Sequence, residues 1–494
     1  MTAKLFSTDS VQTYSEIEQN ALRVADVLGE NGIGHGCRVM LKAGNSAGWV
    51  VTLLALMHTG ASIVMVDSQQ RAEQTRRIAD QAGVKMCIVD EDAPLVHDQS
   101  KIYVYELLVA AASRIPLRDK LDFTEWAERP DGLLMWSSGS TGNAKGIVKS
   151  GGKFLENLRR NAAQVGHREG DVLMPLLPFS HQYGLSMVLI AWQERCSLVV
   201  APYRRIDRSL VMAGQTGVTV VDATPSTYRS MLNIVEKRQD AGLNLVTVRM
   251  FCSGAAPLDP ALSQDYVARF GMPLLDSYGS TEMGNVSFAT IENPFVCGKA
   301  MDGLALKVVD DDGNEVPPGE IGEVLVYTPD VMEGYLAEDG TLVPHKETWY
   351  QTGDFGSLDE HGNLSVYGRK FAVTRMGYTL YPEIIERTVA EKGCSAKVVS
   401  VPDSRRGCQL VFFVEDTLNR APRFWRELLC KVLPAYEWPN RVQVVDRFPL
   451  NANGKPDRLR MEQIALESVE GVTGESLESV SGETLEEEAA RLSV

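Results

Sequence analysis

Apolar segments of two lengths alternate along the first part of the chain, and this alternation limits the folds open to it. Ala47 to His58 is long enough for a buried helix, whereas Cys37 to Lys42 and Ser62 to Val66 are short runs typical of buried strands. Ser15 and Glu18 form a candidate capping box for a helix that precedes the first of these strands. Further strand-like runs are Lys85–Val89, Gly132–Trp136, Ser197–Val200 and Val218–Val221. Strands that alternate with helices predict an α/β fold, with a large layered domain of mostly parallel sheets.

The pattern changes in the last third of the chain, which predicts a second domain. From Glu323 the strand-like runs are shorter and separated by glycines, and after Arg369 strands are predicted at Lys397–Val401 and Gln409–Val414, with a helix near Pro422–Val432. A length of 494 residues also exceeds the usual size of one domain. We predict a large N-terminal domain at residues 1–368, a small mobile α+β domain at 369–462 and an acidic tail at 463–494, disordered or loosely helical.

Charge and cysteine content limit the classes of partner and the cell compartment that this chain suits. The formal net charge of −16 leaves no basic field for nucleic acid, so no nucleic-acid partner is expected. Eight cysteines are scattered without a Cys-x-x-Cys pair and no apolar signal region follows Met1, which is typical of a cytoplasmic protein with reduced thiols. The longest apolar stretch, Trp49 to Val66, is interrupted by His58 and Gly60, so it predicts a buried helix followed by a strand and no membrane span.

A loop of glycines and hydroxyls follows the strand-like run that ends at Trp136. Its sequence, Ser137 to Gly146, supplies backbone N–H groups, hydroxyl donors and the charge of Lys145, a combination suited to binding phosphate. The common phosphate loop ends in Gly-Lys followed by Ser or Thr, whereas here Ala144 precedes the lysine. The spacing therefore disfavours a mononucleotide kinase or GTPase.

Five further motifs follow the loop in a fixed order. They are Ser253–Leu258, Tyr278–Glu282, Trp349–Asp354, Tyr367–Arg369 and Asn453–Lys455. Together with the loop they resemble the core motifs of the adenylate-forming superfamily, which includes acyl- and aryl-CoA ligases, firefly luciferase and the adenylation domains of peptide synthetases. The resemblance covers roughly Tyr14 to Arg458. It implies an ATP-dependent acid-thiol ligase that makes an acyl-AMP and transfers the acyl group to the thiol of coenzyme A.

The resemblance also implies roles for individual residues, with ATP (bound as AMP after the first step), Mg²⁺ and coenzyme A as cosubstrates. The matching catalytic residues are Lys455, His181, Thr141 and Glu282, of which Glu282 and Thr141 would hold the metal ion. The residues that match cofactor-binding positions are Ser137, Ser138, Gly139, Ser140, Thr141, Gly142, Lys145, Gly254, Ala255, Ala256, Tyr278, Gly279, Ser280, Thr281, Asp354, Arg369 and Gly377. Taken singly, the Thr-Gly-Asp and Asn-Gly-Lys motifs are common turns, and His181 could be a core histidine.

The substrate class is partly readable from the segment Phe179 to Met187. Peptide-synthetase adenylation domains carry an aspartate there for the substrate's amino group, and this chain has no acidic residue in the segment. A buried ammonium without a partner is costly, so a non-amino carboxylic acid is expected, whether aryl, fatty or polycyclic. Candidate pocket walls are His181, Tyr183, Gly184, Asp222, Ala223, Thr224, Ser253, Gly254, Gly279 and Asn285.

Departures from the family pattern leave more than one function open. Lys370, Phe371 and Ala372 stand where relatives carry a polar hinge, and the distance from Arg369 to Gly377 is one residue shorter than usual. An altered hinge could bias the equilibrium between the two positions of the small domain that the two half-reactions need. An enzyme that carries out only one half-reaction is therefore an alternative. The sequence is also compatible with an acyl-AMP ligase that loads a free-standing acyl-carrier protein and with an adenylate-binding protein without turnover. A homodimer is left open.

Overall fold

The computed structural model describes residues 2–95, 100–137, 145–310, 312–369, 373–375, 378–380, 382–403, 407–451 and 454–470. The chain divides into two units, Met1–Lys370 and Phe371–Val494, which are described separately.

In the described residues, the helices of the larger unit are α1 (Tyr14–Glu30), α2 (Ala47–His58), α3 (Ala72–Ala82), α4 (Val104–Ala111), α5 (Thr124–Ala127), α6 (Gly151–Val165), α7 (Gln182–Gln193), α8 (Ile206–Thr216), α9 (Pro225–Lys237) and α10 (Pro260–Phe270), with a 3₁₀ turn at Gln239–Leu245. Its strands are β1 (Lys4–Phe6), β2 (Val11–Thr13), β3 (Arg38–Lys42), β4 (Ser62–Met65), β5 (Met86–Val89), β6 (Lys101–Tyr103), β7 (Leu133–Ser137), β8 (Lys145–Lys149), β9 (Val172–Pro175), β10 (Ser197–Val199), β11 (Val220–Ala223), β12 (Met250–Ser253), β13 (Leu274–Leu275), β14 (Ser277–Ser280), β15 (Gly284–Phe288), β16 (Lys299–Ala300), β17 (Ala305–Val309), β18 (Gly322–Tyr327), β19 (Gly334–Leu336), β20 (Leu342–Pro344), β21 (Tyr350–Leu358) and β22 (Leu364–Arg369).

Two large sheets organise this unit. One has the strand order β13-β12-β11-β9-β10-β1-β2 and the other β20-β19-β8-β7-β4-β3-β5-β6. The pairs among β13, β12, β11, β9, β10 and β1, and those among β7, β4, β3, β5 and β6, are all parallel. The prediction of a layered α/β domain with mostly parallel sheets is confirmed. The largest buried cluster includes α2 and side chains from both sheets, among them Leu41 on β3 and Leu198 on β10.

Antiparallel strands flank the phosphate-loop position. Strand β8 pairs antiparallel with β7 and with β19. The β8–β19 pair joins residues nearly two hundred positions apart in the chain. Two smaller sheets, β14-β15-β16 and β17-β18-β21-β22, are antiparallel throughout and carry three of the sequence motifs. The sequence motifs therefore lie on strands, or next to strands, of several different sheets.

Most element predictions are confirmed to within one or two residues, but the predicted capping box is wrong. Helix α2 spans the predicted Ala47–His58, followed by β4 as expected. Helix α1, however, begins at Tyr14, and its capping box is formed by Thr13 and Glu16. Glu18 instead accepts a hydrogen bond from the backbone N–H of Leu121 at 3.2 Å. Of the helices in the described part of the chain, none is long and apolar enough to cross a bilayer.

The smaller unit is an α+β arrangement. In its described residues it contains β23 (Val373–Arg375), β24 (Tyr378–Leu380), α11 (Pro382–Ala390), β25 (Ala396–Asp403), β26 (Gly407–Glu415), α12 (Pro422–Val432), a 3₁₀ turn at Ala435–Glu437, β27 (Arg441–Val445) and α13 (Arg458–Glu470). The sheet β25-β26-β27 combines an antiparallel and a parallel pair. Ala465 of α13 is fully buried, so the helix packs onto the unit beyond residue 463, where the acidic tail was predicted to begin. Residues 471–494 lie outside the described residues.

Candidate active site

Tyr278 and Asp354, two of the predicted cofactor-binding residues, lie together. Tyr278 is on β14 and Asp354 on β21, and the tyrosine hydroxyl donates to Asp354 Oδ2 at 2.6 Å. The Asp354 backbone N–H donates to Thr352 Oγ1 at 3.0 Å, and Asp354 pairs in register with Arg369 on β22. The fold thus brings an aromatic ring, a carboxylate and the Arg369 backbone to one place, from motifs about ninety residues apart.

Lys145 and Glu282, predicted to contact phosphate and metal, converge on one tyrosine. Tyr335 on β19 donates to Glu282 Oε1 at 3.4 Å, and its hydroxyl lies 3.2 Å from that of Tyr350. The ammonium of Lys145 lies 5.0 Å from the centre of the Tyr335 ring, which is a cation–π distance. The predicted residues Ser138, Gly139, Ser140, Thr141 and Gly142, and the side chain of Ser137, lie outside the described residues.

Lys149, which the sequence analysis missed, lies behind Glu282. Its ammonium is buried and donates to the backbone carbonyl of Thr281 at 2.7 Å. Burial lowers the pKa of Lys149 to about 8, and the nearby carboxylates of Glu282 and Asp330 oppose this shift. Lysine is rare at a fully buried position, so its place in the apolar run after Gly146 was the available signal.

The turn after β12 approaches the site through small residues. A Cβ on Gly254 would lie 2.5 Å from Ser277 Oγ and 3.0 Å from Tyr183 Cε1, so no larger residue fits there without a shift. Ala255 adopts φ +67°, a left-handed conformation that is strained for a residue with a side chain. Gly279 is similarly confined, since its Cβ would lie 2.5 Å from the carbonyl oxygen of Gly284.

Residues at the start of α7 and on β11, which are predicted to line the acyl pocket, lie in contact. The Tyr183 hydroxyl donates to Asp222 Oδ1 at 2.9 Å, and burial raises the pKa of Asp222 to about 7. His181 is the N-cap residue of α7, and its Nε2 lies 3.8 Å from Asp67 Oδ2, a contact that the sequence did not indicate. A Cβ on Gly184 would lie only 2.1 Å from the carbonyl oxygen of Pro178, which explains the glycine in the first turn.

Three further predicted wall residues have structural partners. Thr224 is the N-cap of α9 and accepts a hydrogen bond from the Thr227 backbone N–H at 3.4 Å. Asn285 donates through its side chain to Ser186 Oγ at 3.4 Å, and its backbone N–H donates to Asn157 Oδ1 at 2.8 Å. Ala223 is fully buried in the core cluster around Tyr228. Their roles as pocket walls stay predictions.

Lys455 belongs to the smaller unit and lies in a tight turn. Its backbone N–H donates to Asn451 Oδ1 at 3.1 Å, and Asn451 N–H donates back to the Lys455 carbonyl at 2.8 Å. Gly454 has φ +73°, which favours glycine at this position. The predicted residue Gly377 and the side chain of Arg369 lie outside the described residues.

The metal-binding prediction rests on few protein ligands. In the described part of the chain no group of three or more His, Cys, Asp or Glu side chains could hold a metal ion. Mg²⁺ in nucleotide sites is commonly bound by one or two carboxylates together with substrate phosphates and water. Glu282, whose side chain is buried and contacts Tyr335, could supply such a carboxylate.

Comparisons with known proteins show the family and the fold. The family model described as AMP-binding enzyme matches residues 2–336. A 2-succinylbenzoate–CoA ligase from Bacillus cereus is 26% identical over 473 residues, which cover 92% of this chain and 94% of that protein. A fatty acid–[acyl-carrier-protein] ligase from Streptomyces coeruleorubidus is 25% identical, covering 90% of this chain and 89% of that protein.

Among solved structures, ATP-bound MatB from Rhodopseudomonas palustris superposes with a TM-score of 0.83. The match has 23% sequence identity and covers 94% of this chain and 96% of that one. At this identity the likeness concerns the fold, which extends over both units of the chain.

Proposed function

The chain belongs to the AMP-binding enzyme family, and from this premise we propose that it is an ATP-dependent acyl-CoA ligase. In the proposed reaction a carboxylate oxygen attacks the α-phosphate of ATP, pyrophosphate leaves, and acyl-AMP forms. The thiol of coenzyme A then attacks the acyl carbon, and AMP leaves with the electron pair of the broken C–O bond. The scheme converts a poor electrophile into one with a good leaving group.

The observation that carries the proposal is the stretch from Tyr278 to Glu282. At one end Tyr278 reaches Asp354, and at the other Glu282 reaches Tyr335, beside Lys145. One short segment thus joins a pair of groups suited to adenosine and a pair suited to phosphate and metal. This is the order of parts along an ATP molecule, with nucleoside at one end and polyphosphate at the other.

Each residue has a proposed task in the first step. Tyr278 would pack against adenine and Asp354 would accept hydrogen bonds from the ribose hydroxyls. Lys145 and the loop before it would bind the β- and γ-phosphates, with Glu282 holding Mg²⁺. When bound, the ion would neutralise charge on the phosphates and on the departing pyrophosphate. Lys455 would stabilise the charge that develops between the substrate carboxylate and the α-phosphate.

The proposed substrate is a carboxylic acid without an α-amino group. Helix α7 and the segment before it present Ser180, His181 and Gln182 in place of an acidic residue. Asp67 lies near His181, but its Oδ2 is 3.8 Å from the imidazole Nε2, so it is already engaged beside that ring. The ligases from Bacillus cereus and Streptomyces coeruleorubidus act, by their names, on acids of this class.

The experiment that tests the proposal separates the two half-reactions. Purified protein is supplied with ATP, Mg²⁺, coenzyme A and a panel of aryl, fatty and amino acids, and pyrophosphate and thioester are measured independently. We expect pyrophosphate with at least one non-amino acid, followed by its thioester. A preference for α-amino acids, or no pyrophosphate with any acid at millimolar concentration, would contradict the proposal.

A second candidate function keeps the adenylation step, but the acyl group is then transferred to a carrier protein instead of coenzyme A, or the enzyme carries out only one half-reaction. It is favoured by the residues Lys370, Phe371 and Ala372 at the position of the family's polar hinge and by the carrier-protein ligase among the relatives. The same assay decides it, because pyrophosphate release with thioester only on a carrier protein, or with no thioester at all, identifies this candidate. Comparable rates of both steps with coenzyme A exclude it.

We also propose a cytoplasmic location. A homodimer stays a prediction from the sequence. The support for the location is chemical. Six of the eight cysteines are buried, and burial raises the pKa of the Cys87 thiol to about 11 and of Cys196 to about 12. Such thiols are unreactive and suit a reducing compartment.

A further inference from the structure

A small cavity lies against Tyr183, in the layer between α6, α7 and the sheet that contains β11. It has a volume of about 10 Å³, enough for one atom group of the size of water. Four polar residues line it, and these are Asn161, His167, Tyr183 and Asp222. The rest of the lining is apolar or thiol, including Met187 and Phe288. The cavity is therefore a polar spot at the end of an apolar surface.

Three buried polar atoms around this cavity have no hydrogen-bond partner among the described residues. They are Asn161 Oδ1, His167 Nδ1 and Asp222 Oδ2, on side chains that are each more than nine-tenths buried. The Tyr183 hydroxyl is already committed, since it donates to the other oxygen of Asp222. A buried acceptor without a donor costs about 1–3 kcal/mol, so three together mark a place that something else completes.

The chemistry of these atoms selects the missing group. The amide oxygen of Asn161 can only accept a hydrogen bond. Burial raises the pKa of Asp222 to about 7, so above about pH 7 its second oxygen is ionised and accepts as well. Burial lowers the pKa of His167 to about 4, so the ring is neutral and its Nδ1 can accept as well. A site with more hydrogen-bond acceptors than donors binds an O–H or N–H donor. The volume of the cavity has no room for a group larger than a hydroxyl or an amino group.

The cavity also adjoins the candidate acyl pocket. Tyr183, which lines the cavity, lies in the first turn of α7 shortly after His181, and its ring packs against Gly254. Gly254 belongs to the turn proposed to approach the nucleotide. The tyrosine thus has its hydroxyl at the cavity and its ring edge at the acyl-adenylate side.

We propose that this cavity binds a hydroxyl or amino group at the end of the substrate acid remote from its carboxylate, with Asp222 as the specificity-determining residue. The inference rests on the proposed function and narrows its substrate class to acids with an apolar body and a small donor at the far end. The acidic residue absent from Phe179–Met187 is then supplied by β11, and it faces a distal donor instead of an α-amino group.

Isosteric acid pairs test the proposal, because a methyl group matches a hydroxyl or amino group in size but cannot donate. Suitable pairs are the hydroxy- and aminobenzoic acids against the toluic acids, and 6-hydroxyhexanoate against heptanoate. In at least one series, measured at about pH 8 where Asp222 is ionised, we expect kcat/KM for pyrophosphate release to favour the donor by about tenfold or more, the effect of one hydrogen bond to a charged group. Asp222→Leu should abolish or reverse the preference, while Asp222→Asn, whose amide oxygen still accepts, should keep part of it.

Met187→Leu is the matched control, because it changes the shape of the same cavity but no hydrogen bond and should alter both members of a pair by the same factor. Calorimetric binding of the same pairs in the presence of AMP gives a readout that needs no turnover, so it separates failure of the inference from failure of the proposed function. Equal use and equal binding of donor and methyl acids, unchanged by Asp222→Leu, would mean that the cavity holds only a water molecule and would overturn the proposal.

Discussion

Lys149 shows how a single buried charge can position a neighbouring carboxylate. It is fully buried on β8 and donates to the carbonyl of Thr281, the residue before Glu282. Burying a charged ammonium costs free energy of desolvation. Here the buried ammonium makes a specific hydrogen bond beside the candidate metal ligand. We interpret Lys149 as a positioning residue for the turn that holds Glu282.

Replacing this lysine should weaken nucleotide binding more than the chemical step. In Lys149→Met the Thr281 carbonyl loses its donor, so the turn loosens, and we expect the KM for MgATP to rise about tenfold with a smaller change in kcat. Lys153→Met is the control, because Lys153 forms a partly exposed ion pair with Glu333 at 2.6 Å. Equilibrium MgATP binding by calorimetry checks the same effect, and unchanged binding in Lys149→Met would show that the contact is only structural.

Asp276 provides a pH-dependent test at the residue scale. Its Oδ1 is buried without a partner among the described residues, and burial raises the pKa of this carboxyl to about 7. The folded protein therefore holds a proton at Asp276 between about pH 4 and pH 7 that the unfolded chain lacks. The contribution of Asp276 to stability is present below about pH 4 and is lost as the pH rises through about 7.

Asp276→Asn should accordingly stabilise the protein at about pH 8, by an amount of the order of 4 kcal/mol at most, and have little effect near about pH 4. Urea unfolding across this pH range measures it. Asp171→Asn should behave in the opposite way, because the Arg249 guanidinium holds the pKa of Asp171 below its ordinary value and the pair is lost on substitution. If the two variants showed the same pH dependence, the assigned protonation states would be wrong.

At the scale of elements, α7 depends on one glycine. Gly184 lies in the first turn of the helix, where its Cα approaches the loop at Pro178 that leads to His181. Because the built Cβ would lie 2.1 Å from a backbone oxygen, a side chain here requires the loop and the helix to separate. The position of His181 and the start of α7 are thus set together.

Gly184→Ala should therefore destabilise the protein by about 2 kcal/mol or more, although alanine favours helix formation. It should also raise the KM for the acid, since the displaced loop carries His181. The matched control is Gly29→Ala in α1, where no atom lies within 4 Å of the built Cβ and a gain of about 0.5–1 kcal/mol is expected. Thermal and urea unfolding measure both, and equal effects of the two substitutions would contradict the packing argument.

At the scale of the whole molecule, the candidate catalytic residues are divided between two units. Tyr278, Glu282 and Asp354 belong to the larger unit and Lys455 to the smaller one. The family resemblance implies that the smaller unit alternates between two poses and that its lysine acts in only one. The two half-reactions should then respond differently to the loss of this lysine.

Lys455→Ala should lower the rate of acyl-AMP formation about a hundredfold or more, because a charge-stabilising donor is lost. Thioester formation from supplied acyl-AMP should stay within about threefold of the wild-type rate. Lys431→Ala, at an exposed position on α12, is the control and should change neither step. Equal losses in both half-reactions would argue against alternation of poses.

Local patterns alone determined several features of this protein. Helix α2 was predicted to the residue and helix α12 lies where a helix was expected, because length and apolar spacing are local signals. The order of the motifs likewise indicated the family before any geometry was known. The resemblance to that family also implied that Tyr278, Asp354, Lys145 and Glu282 serve one ligand, although it gave no contact between them.

The tertiary structure alone decided which residues meet. Tyr14, the first residue of helix α1, is buried and its hydroxyl donates to the carbonyl of Cys196, far away in the chain. Tyr335 joins the site only because β19 pairs with β8, and Asp222 meets Tyr183 only because β11 lies beneath α7. Hydrogen bonding and burial act between neighbours in space, and a single sequence specifies neighbours in space only through the completed fold.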